Sequence, residues 1–233
     1  MNDIVYILKE DVKSDELKYS LRSVCKNFEY NTIWFYGGCP DDIVPDHWVP
    51  FKQKGFNKYE KTRSMFEAIF TNEEITPNFY LFNDDFYILQ PYDQDTPICN
   101  GTIFGLMTRI EQRNQRTSPY TRMLRDTHTV LQAKGYDTLS YATHTPFLVN
   151  RKKGLEVINM FDTGRSFRCC YGNYCNIRGV LAPDCKIFSY NKIPTSDMKL
   201  LSTSDDSFRE GAVGKFIKTT FSEPCKYEKE SIS

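Results

Sequence analysis

The sequence lacks a hydrophobic run long enough to cross a membrane, since no stretch approaches the ~20 apolar residues of a transmembrane helix. It also lacks a basic segment ahead of its first apolar run, residues 4–8, where a secretory signal peptide would carry one. We therefore interpret residues 4–8 as a first β-strand rather than a leader, and we expect a cytoplasmic protein without a membrane span.

An excess of charge of either sign is absent as well. Thirty Lys and Arg side chains balance 30 Asp and Glu side chains, so the formal net charge is zero. This balance excludes a long-range positive field over the whole surface, whereas a local basic patch is compatible with it.

Metal-binding cysteine pairs are also missing. The sequence has eight cysteines, but no two of them have the C-x-x-C spacing that structural zinc sites usually carry. Four cysteines fall within residues 169–185, where a zinc site is the minor alternative. In a chain of this length without an export signal, we expect all eight to be reduced thiols.

What the sequence does have is the composition of a folded domain, with 40% hydrophobic and 26% charged residues over 233 positions. No linker or repeat divides it, so we assign residues 1–233 to a single domain. Short apolar segments typical of strands alternate along the chain with segments whose apolar residues have helical spacing. This order predicts an α/β fold with a mostly parallel central sheet and flanking helices. The predicted strands are residues 4–8, 31–36, 48–51, 79–82 and 86–89. The predicted helices are residues 17–28, 58–70, 118–134, 152–161 and 208–220.

An acidic pair follows one of these strands. Asp84 and Asp85 come after the apolar run 79–82, separated from it by a single asparagine. Ligands of open α/β sheets bind beyond the carboxyl ends of the strands, and a divalent cation there would relieve the repulsion between two carboxylates. Asp84 and Asp85 are therefore candidate ligands of Mg²⁺ or Mn²⁺. A β-turn, in which Asn and Asp are common, is an equal alternative.

Three further candidates are a histidine and two arginines. His144 ends a strand-like segment, and a histidine beside a metal–phosphate site can ligate the ion or exchange a proton with a reacting oxygen. A structural, hydrogen-bonding His144 is the equal alternative. Arg165 and Arg168 form a candidate phosphate clamp, because guanidinium groups match phosphate oxygens.

A third group of charges lies between residues 109 and 125, where five arginines accompany one glutamate, Glu111. Such a cluster suits an anionic ligand, whether phosphate, polysaccharide or nucleic acid. The alternative is a solvated helix face. Asp205 and Asp206 form a second acidic pair in a Ser/Thr-rich segment and are unremarkable by themselves.

Taken in order along the chain, the motifs resemble the Stealth family, whose members transfer sugar 1-phosphates from nucleotide sugars to capsular or other glycans. Each motif is short, and the ordered set covers most of the chain. The segments that carry the resemblance are residues 15–24, Gly55-Phe56-Asn57, residues 82–86, His144-Thr145-Pro146-Phe147, residues 163–168, residues 199–206 and residues 221–228.

The resemblance implies a nucleotide-diphosphosugar transferase (glycosyltransferase A-type) fold. It implies a UDP- or similar nucleotide-sugar donor held with Mg²⁺ or Mn²⁺, and a glycan or other hydroxyl acceptor. The metal ligands would be Asp84 and Asp85. The residues around the donor would be Asn57, Asp84, Arg165 and Arg168. The catalytic residues would be His144, Asp85, Arg168 and Asp206, the last as an extra metal ligand or base.

Two other functions stay open at this point. One is a glycosyltransferase that acts on modified DNA bases, as small phage-type enzymes of related folds do. The other is a non-catalytic module that binds glycan or nucleic acid through its arginines and rings. The sequence makes no prediction of the sugar, the nucleotide base or the oligomeric state.

Overall fold

A computed structural model describes residues 1–12, 15–55, 58–92, 97–114, 116–162 and 164–229. These residues form a mixed α/β structure of ten strands and eight helices. The strands are β1 (Asp3–Ile7), β2 (Ile33–Tyr36), β3 (His47–Val49), β4 (Asn78–Phe82), β5 (Phe86–Ile88), β6 (Ile98–Cys99), β7 (Phe147–Asn150), β8 (Val180–Leu181), β9 (Lys186–Ile187) and β10 (Leu200–Thr203). The helices are α1 (Asp15–Asn27), α2 (Lys58–Thr71), α3 (Ile103–Asn114), α4 (Pro119–Ala133), α5 (Arg151–Met160), α6 (Phe167–Tyr174), α7 (Asp205–Arg209) and α8 (Ala212–Thr220).

The central sheet has five strands in the order β3-β2-β1-β4-β7. The first four are parallel, and β7 runs antiparallel to β4. Val5 in the middle of β1 pairs with Trp34 of β2 and Leu81 of β4. The predicted mostly parallel sheet with flanking helices is thereby confirmed. Since parallel strands end at the same edge, the segments that follow β1 and β4 lie side by side.

Both faces of this sheet are covered, as expected for parallel strands that are apolar throughout. Ile4 and Tyr6 of β1 point to the face on which the apolar stripe of α1 packs. Val5, between them, points to the opposite face, which carries α2, α4, α5 and α6. The alternation of neighbouring side chains between faces therefore divides the core into two layers.

A second, three-stranded sheet has the order β5-β10-β9, with β10 antiparallel to β5 and parallel to β9. Tyr87 and Leu201 from this sheet pack against Phe208 of α7 and Val213 of α8. Because β5 starts four residues after β4 ends, the two sheets meet at the acidic pair. None of the helices in the described ranges is long and apolar enough to cross a membrane.

Two helices, α3 and α6, were not predicted, and the region of the single helix predicted at residues 208–220 holds two helices, α7 and α8. In α3, Ile103 and Met107 form a short buried stripe among glycine and arginine residues, so its helical period is weak. In α6 the buried residues include Cys169, Cys170 and Gly172, which are poor helix formers. Both helices are held by packing against the core rather than by propensity.

Candidate functional site

A cavity of about 920 Å³ opens at the edge of the central sheet where β1 and β4 end. Lys9, just beyond β1, and Asp84, just beyond β4, line it. Other walls come from α2 and from residues 142–144 and 164–168. Its position follows the rule for open α/β sheets, and its volume lies at the upper end of the range for small-molecule sites, about 300–1,000 Å³.

Four residues that were predicted from the sequence as site residues meet in this cavity. They come from three separate parts of the chain, and the fold places all of them in the lining of this one cavity. They are Asp84, His144, Arg165 and Arg168.

Asp84 lies in a tight turn between the two sheets. The backbone N–H of Phe86 donates to the carbonyl of Asn83 at 3.4 Å. The backbone here therefore forms the β-turn that was the alternative interpretation of this motif. Burial raises the pKa of Asp84 to about 6, and the neighbouring Asp85 carboxylate adds to the shift, while Lys9 opposes it. A carboxyl group with this pKa changes protonation near neutral pH, which suits a group that binds a cation or exchanges a proton.

Asp85 faces the other way, into the second sheet. Its Oδ2 accepts from Nζ of Lys186 at 2.8 Å and from Oγ of Ser202 at 2.9 Å, and the residue is 8% exposed. The turn therefore separates the two carboxylates of the pair. Asp84 lines the cavity, whereas an ammonium group balances the charge of Asp85.

This arrangement bears on the expected Mg²⁺ or Mn²⁺. In the described ranges, no group of three or more His, Cys, Asp and Glu side chains is placed to hold a metal ion. Mg²⁺ in phosphate sites is usually bound by one or two carboxylates together with substrate phosphates. Asp84 lines the cavity and would fit that role as a protein ligand.

His144 is held by an aspartate that the sequence did not single out. Oδ1 of Asp184 accepts from the backbone N–H of His144 at 2.9 Å, and Oδ2 lies 2.7 Å from the ring Nδ1. Burial by itself would raise the pKa of Asp184, but the hydrogen bonds and charge of His144 outweigh it and hold the pKa below its usual value. With Nδ1 bound to a carboxylate, the other ring nitrogen, Nε2, is left for chemistry.

Arg168 braces the segment that carries His144. Its Nη1 donates to the carbonyl oxygens of Thr143 at 3.0 Å and Thr145 at 2.6 Å. Its guanidinium also lies over the rings of Phe86 and Phe147, 5.4 and 5.1 Å from their centroids. Burial lowers the pKa of Arg168 to about 10, which still leaves it protonated at neutral pH.

Arg165 is less committed to protein partners. Its Nη1 lies 3.7 Å from Oδ2 of Asp126, a long ion pair. Its Nε is buried and has no hydrogen-bond partner among the residues that the structure describes. A buried N–H donor without a partner is costly, and this one belongs to a cation on the cavity wall. Arg165 is therefore the better placed of the two arginines to receive an anionic group.

Two predicted site residues do not reach the cavity lining. Asp206 is exposed on α7, where Oδ1 accepts from Nη2 of Arg209 at 3.0 Å. Asp85 faces Lys186, as described above. Asn57 lies outside the described residues.

The five arginines between residues 109 and 125 lie on or next to α3 and α4, and all are exposed. Arg125 pairs with Glu111 at 2.8 Å, and Arg113 lies over the ring of Phe188. Their exposure matches the alternative of a solvated helix face, and none of the five lines the cavity.

Asp184 and Lys186 are the residues that the sequence reasoning missed. Neither stands in a recognisable motif, and both act through partners far away in the chain, 40 and 101 residues from His144 and Asp85. The sequence offered no signal for either contact. Compared with known proteins, the chain matches no family model and no curated protein.

Proposed function

We propose that this protein is a transferase that uses a nucleotide-diphosphate sugar, with a fold of the glycosyltransferase A type. It would move a sugar 1-phosphate, or the sugar itself, to a hydroxyl acceptor. The observation that carries the proposal is the convergence of Asp84, His144 and Arg165 in one cavity at the carboxyl ends of β1 and β4. A carboxylate that can hold a metal ion, a base and a cation in one space are groups that such a transfer can use.

Each residue has a role in this proposal. Arg165 binds the donor diphosphate, since its cation lines the cavity and its Nε has no partner in the described part of the chain. His144 accepts the proton of the acceptor hydroxyl at Nε2, because Asp184 occupies Nδ1. Arg168 keeps the segment around His144 in place. Asp84 would hold Mg²⁺ or Mn²⁺, which when bound neutralises phosphate charge and polarises the bond that breaks.

Two reactions fit these groups. If the acceptor oxygen attacks the β-phosphorus, a new P–O bond forms, the bond to the α-phosphate breaks and a nucleoside monophosphate leaves. If it attacks the anomeric carbon, a new C–O bond forms, the sugar–phosphate bond breaks and a nucleoside diphosphate leaves. In both cases the acceptor proton goes to His144.

The test is a panel of nucleotide sugars with Mn²⁺ and mixed glycan, alcohol and DNA acceptors, with the released nucleotide identified by chromatography. Release of monophosphate supports sugar-phosphate transfer, and release of diphosphate supports glycosyl transfer. His144→Ala should slow the release by about 10²–10⁴-fold, while His128→Ala, a change in α4 outside the cavity lining, should leave it unchanged. No release above the rate without protein, together with no donor binding by calorimetry, would overturn the proposal.

A further inference from the structure

A short segment around β9, residues 184–188, alternates between buried and accessible side chains. Cys185 and Ile187 are buried, whereas Asp184 and Lys186 are half-buried and Phe188 is 54% exposed. Alternate side chains of a strand point to opposite faces. Asp184, Lys186 and Phe188 therefore share one face of this segment, opposite to the two buried residues.

The first two residues of this face hold groups of the candidate site. Oδ2 of Asp184 lies 2.7 Å from Nδ1 of His144, which lines the cavity. Nζ of Lys186 donates to Oδ2 of Asp85, in the turn between the two sheets, at 2.8 Å. Phe188 continues the same face, so its exposed ring lies on the side of the second sheet that adjoins the site.

Two cations flank the exposed ring of Phe188. Cζ of Arg113, on α3, lies 5.8 Å from the ring centroid, and Nζ of Lys186 lies 5.7 Å from it. Arg109 lies one helical turn before Arg113, on the same side of α3. Its Nη2 donates to the carbonyl oxygen of Asn100 at 3.2 Å. A guanidinium group has five N–H donors, so this one bond leaves most of them for a ligand.

The surface of α3 and α4 carries an excess of positive charge. Residues 103–133 include five arginines and two carboxylates, Glu111 and Asp126. Glu111 pairs with Arg125 at 2.8 Å, and Asp126 lies 3.7 Å from Arg165, which comes from another part of the chain. A solvated helix face usually alternates charges of both signs. An excess of one sign beside an exposed ring suits a polyanion better.

We propose that Phe188, Arg109 and Arg113 form a binding surface for single-stranded nucleic acid. Arginines along a backbone and an aromatic ring under a base are the two elements by which proteins bind single strands. In a duplex the bases are stacked on one another, so the ring of Phe188 can reach a base face only in a single strand. A neutral glycan would make no use of the excess charge. This inference does not rest on the proposed function, because binding needs no sugar donor.

The test is a fluorescence-anisotropy titration of a short fluorescein-labelled oligothymidine with the full-length protein at several salt concentrations. Wild-type protein should bind, with an affinity that falls as salt rises. Arg113→Gln should make the slope of log K against log salt shallower by about 0.7, the value for one phosphate contact on a single strand. Lys152→Gln, which removes an exposed positive charge on α5, is the control and should leave the slope unchanged.

The ring is tested separately from the charge. Phe188→Ala should weaken binding by at least about fivefold, since stacking of one base on an aromatic ring has at least this effect, and the salt slope should stay the same. Phe188→Tyr keeps the ring and should bind as wild-type protein does. Because the side chain is 54% exposed, both variants should fold, and their circular dichroism and denaturation midpoints check this.

Three results would overturn the proposal. One is no binding of the oligonucleotide by folded wild-type protein at low salt. Another is binding that neither Arg113→Gln nor Phe188→Ala changes. The third is tighter binding of duplex DNA, or of an anionic polysaccharide such as polygalacturonate, since the surface would then suit a different partner. None of these measurements includes a nucleotide sugar, so their failure would leave the proposed transferase activity to its own test.

Discussion

Asp184 holds His144 through two hydrogen bonds, one from the backbone N–H to Oδ1 at 2.9 Å and one between Oδ2 and the ring Nδ1 at 2.7 Å. Because one carboxylate binds both groups, the ring is fixed relative to its own backbone. In the neutral ring, Nδ1 then carries the proton and Nε2 keeps its lone pair. A general base that acts through Nε2 requires this tautomer.

Loss of His144 should therefore affect turnover far more than donor binding. We expect His144→Ala to lower kcat by about 10²–10⁴-fold, the usual range for a lost acid or base. Asp184→Asn should lower kcat by at least about tenfold with the donor KM little changed, because it removes the charge that orients the ring and steadies its protonated form. Steady-state kinetics on both variants, with His128→Ala as the control, measure this. Unchanged turnover in His144→Ala would make it a structural histidine.

Asp84 should trade stability for function. Its folded pKa of about 6 lies above the value of about 3.9 expected in the unfolded chain, so its charge opposes folding at high pH. Asp84→Asn should stabilise the protein at pH 8 by on the order of 3 kcal/mol. The gain should fade as the pH falls through about 6 and vanish near the unfolded pKa of about 4.

The same variant should lose activity and its response to Mn²⁺, because the carboxylate that lines the cavity is gone. Chemical denaturation at pH 8, 6 and 4 gives the stability, and kinetics with metal or chelator give the activity. Asp137→Asn, an exposed carboxylate outside the cavity lining, is the matched control and should change neither. Full wild-type activity in chelator would remove the metal role of Asp84.

The two arginines should separate binding from positioning. Arg165→Ala should raise the donor KM and lower kcat as well, since a phosphate-binding cation acts in both the ground state and the transition state. Arg168→Ala should mainly lower kcat and stability, because its Nη1 is already bound to Thr143 and Thr145. Arg168→Lys should retain only part of the wild-type kcat and stability, since an ammonium group cannot replace the planar guanidinium that lies over two rings. Equal rises in KM for the two alanine variants would show that Arg168 binds donor directly.

The central sheet was predictable because local signals agree with the fold. The run from Ile4 to Leu8 is apolar on both faces, as a buried parallel strand requires, and Asp84 follows β4 at the edge where ligands bind. The position of such residues in the fold can be predicted from their neighbours in the sequence. The edge location of Asp84 therefore followed from the strand that precedes it.

The rest depended on contacts between distant parts of the chain. Nothing near Asp84 and Asp85 in the sequence indicates that the turn directs Asp84 to the cavity and Asp85 to the second sheet. That outcome depends on Lys186 and Ser202, which lie 101 and 117 residues beyond Asp85. Likewise, the role of Arg168 as a brace for the His144 segment is set by where α6 packs.

Gly172 in α6 shows how tightly that packing is fixed. A Cβ built at this position would lie 2.3 Å from Cδ2 and 2.4 Å from Cε2 of Tyr141, whose ring is fully buried. Gly172→Ala should destabilise the protein by about 1–3 kcal/mol, the usual cost of overpacking a core, although alanine favours helix. Gly105→Ala is the matched control, because this half-exposed glycine of α3 is close only to flexible side-chain atoms and its replacement should cost little. Equal denaturation midpoints for wild-type protein and Gly172→Ala would mean that Tyr141 moves freely, and α6 would then be too loosely held to position Arg168.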